Sequence, residues 1–333
     1  MKIIVPMAGM GKRMRPHTLT VPKPLIPLAG KAIVQHLMED IVKVCPEKVD
    51  EIAYVVGHFG EEAEANLKNI AASLGAVGTI HYQEEPLGTA HAILCAQSAL
   101  KGKVVVAFAD TLFRTDANID ENSDGTIWVK QIEDPRQFGV VKLNADGVIT
   151  DFVEKPQTFV SDLAIIGIYY FKDGENLRSE LQYLIDNDIK DKGEYQLTNA
   201  MENMKVKGKK LVPGKVTEWL DCGNKDATVY TNKRVLEIKY PNNIIDKSAE
   251  LINSVIIPPC YIGANVKLSN TVLGPHVSIG DKCEVNNSVV RNSIIQTNTK
   301  VNDALIDNAM IGNFCQFTGK VQDLSMGDYS TQS

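Results

Sequence analysis

Up to about residue 240, short apolar runs alternate with longer amphipathic stretches. Residues 2–7 form a short buried-strand run. Val34, Leu37, Met38, Ile41 and Val42 then recur at helical spacing within residues 31–44. The pattern predicts a strand over 51–56, an Ala- and Glu-rich helix over 61–74, a strand over 77–82 and a helix over 89–100. The continuous apolar run 104–109 predicts an interior strand. Strand and helix in this alternation define the α/β class: βαβ units and a largely parallel sheet with helices on both faces. From 125 to 171 helices drop out, and strands are predicted over 125–132, 138–143, 148–153 and 163–171, with turn signals such as Asp146-Gly147. Helical patterns return over 175–187 and 197–206, followed by a strand over 216–220 and a helix over 225–239.

Pro241-Asn-Asn243 punctuates the chain, and the period changes beyond it. Aliphatic residues recur at Ile262, Leu268, Leu273, Ile279, Val285, Val290, Ile295, Val301, Ile306 and Ile311, in steps of five or six residues separated by Asn, Ser, Thr and Asp. Short rungs joined by turns, each with an aliphatic side chain pointing inward, make a triangular parallel β-helix. A meander of antiparallel strands would need the period-2 alternation that is poor here. The expected domains are 1–240, a β-helix over 241–324, and a small polar tail over 325–333 that is expected to fray.

Composition narrows the possible functions. A chain of 333 residues allows two domains. The net charge of −6 argues against sequence-independent nucleic-acid binding, so any affinity for phosphate must be local. No run approaches the roughly 18 apolar residues of a membrane span. The apolar stretch Ile3–Ala8 is too short for a signal-peptide core and runs into Lys12, Arg13 and Arg15. The 6 cysteines lie far apart without a C-x-x-C pair, and the histidines lack ligand spacing. Both features fit reduced thiols in a cytoplasmic protein, with no membrane or nucleic-acid partner.

The stretch after the first strand carries the most chemistry: Ala8-Gly-Met-Gly-Lys-Arg-Met-Arg-Pro-His-Thr-Leu-Thr-Val-Pro-Lys-Pro24. Gly9 and Gly11 let the backbone approach a ligand and turn its N–H groups toward phosphate oxygens. Arg13 offers a bidentate fork and Lys23 a mobile point charge. A dinucleotide-binding loop would need a third Gly where Met14 stands and an acidic residue near Ala29-Gly-Lys31; a P-loop would need G-K-S/T. Neither fits.

This loop resembles the signature of the nucleotide-sugar pyrophosphorylases (sugar-1-phosphate nucleotidyltransferases), G-x-G-T-R-[ML]-x-P-x-T followed by P-K-P or P-K-E, with Lys12 where Thr is usual. The resemblance continues through Gln83-Glu-Glu-Pro-Leu-Gly-Thr-Ala90, Ala109-Asp110 (where Gly often precedes the Asp), Phe138-Gly-Val-Val141, Phe152-Val-Glu-Lys-Pro156, Gly167-Ile-Tyr169, Gly193-Glu-Tyr-Gln-Leu-Thr198 and Trp219-Leu-Asp-Cys-Gly223. The C-terminal repeat is similar to the left-handed β-helix that many members append, so a Rossmann-like mixed, mainly parallel sheet followed by such a helix is expected.

The resemblance implies a reaction in which a sugar 1-phosphate attacks the α-phosphorus of a nucleoside triphosphate in line and pyrophosphate leaves. Such chemistry is run by positioning and charge neutralisation rather than a covalent enzyme intermediate. Carried over residue by residue, it makes Asp110 and Asp221 the Mg²⁺ ligands. Arg13 would stabilise the leaving pyrophosphate, and Lys23 would lie near the α-phosphate. Ala8, Gly9, Gly11, Gln83, Gly88 and Thr89 would complete the nucleotide site with Arg13 and Asp110. Lys155 would hold the sugar phosphate, Glu154 would accept from sugar hydroxyls, and Gly139, Ile165 and Gly167 would line the sugar pocket. Gln83, with an amide donor and acceptor, favours UTP or dTTP over GTP. Ile165, where members that bind an N-acetyl group often have Asn, favours glucose 1-phosphate. The nearest members by this reading are the glucose-1-phosphate thymidylyl- and uridylyltransferases. Three alternatives remain: a GTP-dependent mannose-1-phosphate guanylyltransferase, a non-catalytic scaffolding relative, and an acyltransferase run from the β-helix by His276. The retained Arg13, Lys23, Asp110, Lys155 and Asp221 argue against a scaffold, and His276 reads as a turn residue. The β-helix is expected to pack against a copy of itself in a homo-oligomer.

Overall fold

The opening apolar runs become neighbouring strands because every residue of Ile3–Val5 is buried, and only a central parallel strand hides both faces. A computed structural model describes residues 1–9 and 11–320, so the tail expected over 325–333 lies outside the described residues. The described residues form two compact units, one of Met1–Ile26 with Ala32–Gly223, the other of Pro27–Lys31 with residues 224–320.

In the first unit the elements are β1 (Lys2–Pro6), α1 (Ile33–Val44), β2 (Glu51–Val56), α2 (Glu61–Ser73), β3 (Val77–Tyr82), α3 (Thr89–Cys95), β4 (Val104–Ala107), β5 (Thr111–Arg114), β6 (Gly125–Gln131), β7 (Gly139–Leu143), β8 (Ile149–Glu154), β9 (Leu163–Phe171), α4 (Gly174–Asp186), α5 (Leu197–Val206), β10 (Leu211–Lys215) and β11 (Glu218–Asp221). A 9-stranded mixed sheet runs β8-β7-β9-β4-β1-β2-β3, with β6 on β9 and β10 on β6. β1, β2, β3 and β4 are parallel, while β9 runs antiparallel to β4 and ties the second half to the first. One face is covered by apolar residues of α3, α4 and α5, including Ile93, Leu177, Leu181, Leu197 and Met201.

Three elements differ from the expected pattern. α3 stops at Cys95 and gives way to a 3₁₀ turn over Gln97–Ala99. β4 ends at Ala107, and Thr111–Arg114 forms a strand of its own. β10 contains Pro213-Gly214 and is a strand nonetheless. It pairs only with β6, and an edge strand can spare the N–H that Pro lacks. A Cβ on Gly214 would stand 2.8 Å from Thr126 Cγ2, so the small residue lets β10 lie close against β6.

The second unit carries α6 (Lys225–Lys239), capped by Asn224, whose side chain accepts from the Ala227 N–H. After it the chain coils into a left-handed parallel β-helix whose three sheets are built from successive coils. Ile262, Leu268, Leu273, Ile279, Val285, Val290, Ile295, Val301 and Ile306 all point into its core. Coils repeat every 17 residues at first and every 16 later. Residues in the left-handed backbone region turn the corners: Asn253, Asn270, Asn287 and Asp303 at one, Asn265, Lys282, Asn298 and Phe314 at the next, and His276, Asn292 and Asn308 at the third. Asn predominates because its side chain tolerates positive φ. At the first corner the side chains also form a ladder, Asn253 donating to Asn270 at 2.8 Å, Asn270 to Asn287 at 3.0 Å and Asn287 to Asp303 at 3.0 Å. Pro27–Lys31 belongs to this unit because the Ala29 N–H donates to Asn232 Oδ1 at 3.2 Å and Ser278 Oγ at 3.3 Å.

Candidate active site

The glycine-rich loop leaves the carboxyl end of β1, the edge where parallel sheets present ligand sites. Gly11 takes φ 56°, and a Cβ there would lie 3.0 Å from Thr18 Cγ2 and 3.1 Å from Lys23 Cβ. The Gly11 carbonyl accepts from Met14 N–H and Thr18 Oγ1, both at 2.9 Å, and Met14 is buried. The loop is thereby closed on itself, with Met14 turned inward and Lys12, Arg13 and Arg15 left exposed. Pro22 and Pro24 bracket Lys23 in a 3₁₀ turn, and Lys23 Nζ reaches Asp110 Oδ2 at 2.7 Å.

β5 and β11 pair antiparallel with Thr111 opposite Asp221, and Cys222 N–H donates to the Asp110 carbonyl at 2.9 Å. This pairing brings together carboxylates that are far apart in sequence. Burial, then the nearby charge of Asp110, pushes the Asp221 carboxyl above the usual carboxylate range; the Gly223 N–H, Lys23 and Arg13 oppose the shift. A Cβ at Gly223 would fall 2.8 Å from Asp221 Oδ2 and 3.3 Å from Arg13 Nη2, so a side chain there would displace the carboxylate and the guanidinium.

Two cavities open on this junction. The larger, about 440 Å³, is lined by Ala8, Gly9, Gly11, Arg13, Lys23, Gln83, Gly88, Thr89 and Asp110, all expected from the sequence. The smaller, about 320 Å³, is lined by Gly139, Glu154, Lys155, Ile165, Gly167 and Asp221, also expected. Arg13, Thr89, Phe108 and Asp110 line both, so the two share a wall that carries a cation and a carboxylate.

The walls explain the spacing of the motifs. Gly88 has φ 112°, and a Cβ there would fall 2.5 Å from the Tyr195 carbonyl. Thr89 Oγ1 accepts from Leu197 N–H at 2.9 Å and donates to Gln196 Oε1 at 3.1 Å. The Gly-Thr-Ala and Tyr-Gln-Leu-Thr segments are therefore one structure. Gly139 leaves room for Glu154 Oε2, which a Cβ would approach at 3.0 Å. Lys155 is held at φ 44°, with Nζ 3.5 Å from Glu154 Oε1. A lysine in that backbone region costs about 1–3 kcal/mol and persists only where its surroundings fix it.

Sequence reasoning did not single out Lys12, Glu194 and Gly223 in the larger cavity, or Gln137, Thr198 and Trp219 in the smaller. Thr198 Oγ1 and Trp219 Nε1 are buried without a hydrogen-bond partner. The Trp219 ring packs edge-on against Phe138 at 4.8 Å, which fixes its N–H direction. Both lie inside motifs already visible in the sequence, but a side chain's lack of a partner is readable only in three dimensions. His276 is placed in the second unit, with Nε2 2.9 Å from Glu237 Oε1 of α6. Among the described residues, no group of three or more His, Cys, Asp or Glu could hold a metal by itself, and no helix is long and apolar enough to cross a membrane.

Residues 2–238 match the nucleotidyl transferase family, and the chain belongs to it. It is 28% identical to a glucose-1-phosphate thymidylyltransferase of Streptomyces antibioticus, over 96% of this chain and 94% of that one. It is 30% identical to the bifunctional protein GlmU of Methanococcus maripaludis, over 95% of this chain and 79% of that protein. The fold is shared with a Bacillus anthracis crystal structure assigned as a glucose-1-phosphate thymidylyltransferase, with a TM-score of 0.60 and 21% identity, over 74% of this chain and 97% of that one.

Proposed function

We propose that the chain joins a nucleoside triphosphate, dTTP or UTP, to a sugar 1-phosphate, with glucose 1-phosphate favoured, forming a nucleoside diphosphate sugar and pyrophosphate. The observation that carries this reading is the pair of cavities meeting at Arg13 and Asp110. Two anionic substrates, one in each, would face one another across a cation and a carboxylate pair, as an in-line displacement needs.

In this reading the larger cavity takes the triphosphate on the Gly9 and Gly11 backbone, and Arg13 neutralises charge that builds on the departing pyrophosphate. Lys23, fixed by Asp110, lies ready for the α-phosphate. Lys155 holds the acceptor's phosphate in the smaller cavity, where Glu154, Thr198 and Trp219 offer groups to sugar hydroxyls. Ile165, which has no hydrogen-bonding side-chain atom, favours a plain hydroxyl over an acetamido group at the neighbouring carbon. The attacking oxygen belongs to a phosphate, which is already ionised at neutral pH, so no side chain need act as general base.

Asp110 and Asp221 fit a divalent cation, with Mg²⁺ the expected one. They supply hard oxygen donors, Asp221 carries the strain of a second carboxylate beside it, and a site of two carboxylates completed by phosphate oxygens is what Mg²⁺ accepts. When bound, the cation would supply charge neutralisation to the phosphate oxygens. The test is a pyrophosphate-release screen of the common nucleoside triphosphates against a panel of sugar 1-phosphates with Mg²⁺. Release with UTP or dTTP and glucose 1-phosphate is expected; release with GTP and mannose 1-phosphate alone would reassign the base, and none with any pair would point to a scaffold.

The β-helix is proposed as the surface that meets a second copy. Val255, Val272, Val289 and Leu305 stand in register on one of its sheets, and Val255, Val289 and Leu305 are exposed. Light scattering on a Val289→Glu, Leu305→Glu double variant should show a smaller species; an unchanged mass would place the contact elsewhere.

A further inference from the structure

The Gln83 side chain lines the larger cavity, and its hydrogen bonds fix which of its two polar atoms is left over. Gln83 Nε2 lies 3.2 Å from the Gly88 carbonyl oxygen and 3.2 Å from His91 Nδ1. The carbonyl can only accept, so the amide nitrogen must face it. That nitrogen carries two protons, and the two neighbours use both. His91 Nδ1 then accepts, which puts the neutral ring's proton on Nε2. What remains for a ligand is Gln83 Oε1, an acceptor. The amide therefore does not offer a donor and an acceptor together, as the residue type alone would allow.

We propose that His91 is the positioning residue that fixes this choice, and that the site accordingly selects a base with a ring N–H. The proposal rests on reading the larger cavity as the nucleotide site. Uracil and thymine carry N3–H and satisfy Gln83 Oε1, as guanine N1–H also would, so this acceptor turns away cytosine and does not by itself separate the pyrimidines from guanine. Cytosine has a lone pair at N3, so it would set acceptor against acceptor and leave Gln83 Oε1 without its donor. His91 sits in the first turn of α3, three residues after Gly88. The same short segment thus supplies both partners of the amide, and no other element is needed to aim it. Without the Nδ1 acceptor one amide proton is released, and the amide can turn far enough to offer it to cytosine N3.

The experiment measures kcat and KM for UTP, dTTP and CTP, with glucose 1-phosphate saturating, in the wild type, His91→Leu and His91→Asn. Asn places Oδ1 where Nδ1 stands, at the same number of bonds from Cβ, whereas Leu fills the space with a methyl. In the wild type UTP and dTTP should exceed CTP in kcat/KM by at least about 100-fold, as for sites built around a hydrogen bond. His91→Leu should lower that ratio at least about tenfold, with the UTP loss residing in KM, and His91→Asn should stay within about threefold of wild type. The ratio is taken within one preparation, so partial misfolding of a variant does not change it. A wild-type ratio kept by His91→Leu, or lost equally in His91→Asn, overturns the proposal. A wild type that turns over no nucleoside triphosphate overturns instead the reading of the cavity on which it rests.

Discussion

Gly11, Gly88 and Gly139 do different work around the two cavities. At Gly88 both the backbone angle and the Tyr195 backbone bar a side chain; at Gly11 the positive φ favours Gly and the space is tight, and at Gly139 a side chain would press on Glu154 Oε2 and Ile165 Cδ1. Against that cradle Arg13 supplies charge, flanked by Gly223 and the Asp221 carboxylate. Arg13→Ala should therefore lower turnover by about 100-fold or more, the cost of removing one preorganised donor to a developing charge. Steady-state kinetics showing less than a fivefold fall would take Arg13 out of the proposed mechanism. The acceptor side makes a complementary prediction. Thr198 and Trp219 line the smaller cavity, and Thr198 Oγ1 and Trp219 Nε1 are buried with no partner, a cost of about 1–3 kcal/mol each that a small side-chain shift toward a sugar hydroxyl would remove. Thr198→Val and Trp219→Phe should each raise the KM for the sugar 1-phosphate by roughly tenfold, while the KM for the nucleotide holds and thermal stability is kept or improved. A rise in nucleotide KM of the same size would place these groups in the wrong cavity.

At the scale of elements, the corners of the β-helix show how local chemistry sets a coil. Asn287 combines φ 49° with two ladder bonds, accepting from Asn270 and donating to Asp303, both at 3.0 Å. Asn287→Val puts a β-branched residue where it is least tolerated and breaks both bonds, so chemical denaturation should report about 2–4 kcal/mol of lost stability. Asn287→Gly removes only the bonds and should cost less; equal losses would mean that the backbone angle is unimportant. This coil was legible in the sequence because its inward residues recur at a fixed period, and the sheet strands because they are continuous apolar runs. β10 was hidden by Pro213-Gly214, whose tolerance depends on edge position and close packing on β6 rather than on propensity. β5 was hidden because its partner β11 lies about a hundred residues away, and the pairing that sets Asp110 beside Asp221 is a tertiary fact. The candidate residues themselves stand out as ordered motifs. The acceptor-only presentation of Gln83 does not, because it is decided by what Gly88 and His91 do with two protons.

For the molecule as a whole, the two units have separate cores. One gathers Ile4, Val55, Ile93, Val106 and Phe171 between sheet and helices, the other the aliphatic column from Ile262 to Ile306. Every residue lining either cavity belongs to the first unit. A ligand that binds only the native state stabilises it by RT ln(1 + [L]/Kd), about 2.7 kcal/mol at a hundredfold excess over Kd. For a unit of this size that corresponds to a rise in midpoint of roughly 5–10 °C. Calorimetry with UTP or dTTP and Mg²⁺ should therefore move the transition that belongs to the sheet unit. The coil's own transition should stay in place, because its stability comes from the buried column and the Asn ladder, which no nucleotide touches. Val285→Ala inside the coil identifies that second transition by lowering it alone, since truncating a buried aliphatic costs about 2–4 kcal/mol locally. If nucleotide and Val285→Ala both move one common transition by comparable free energies, the units melt as a single cooperative body.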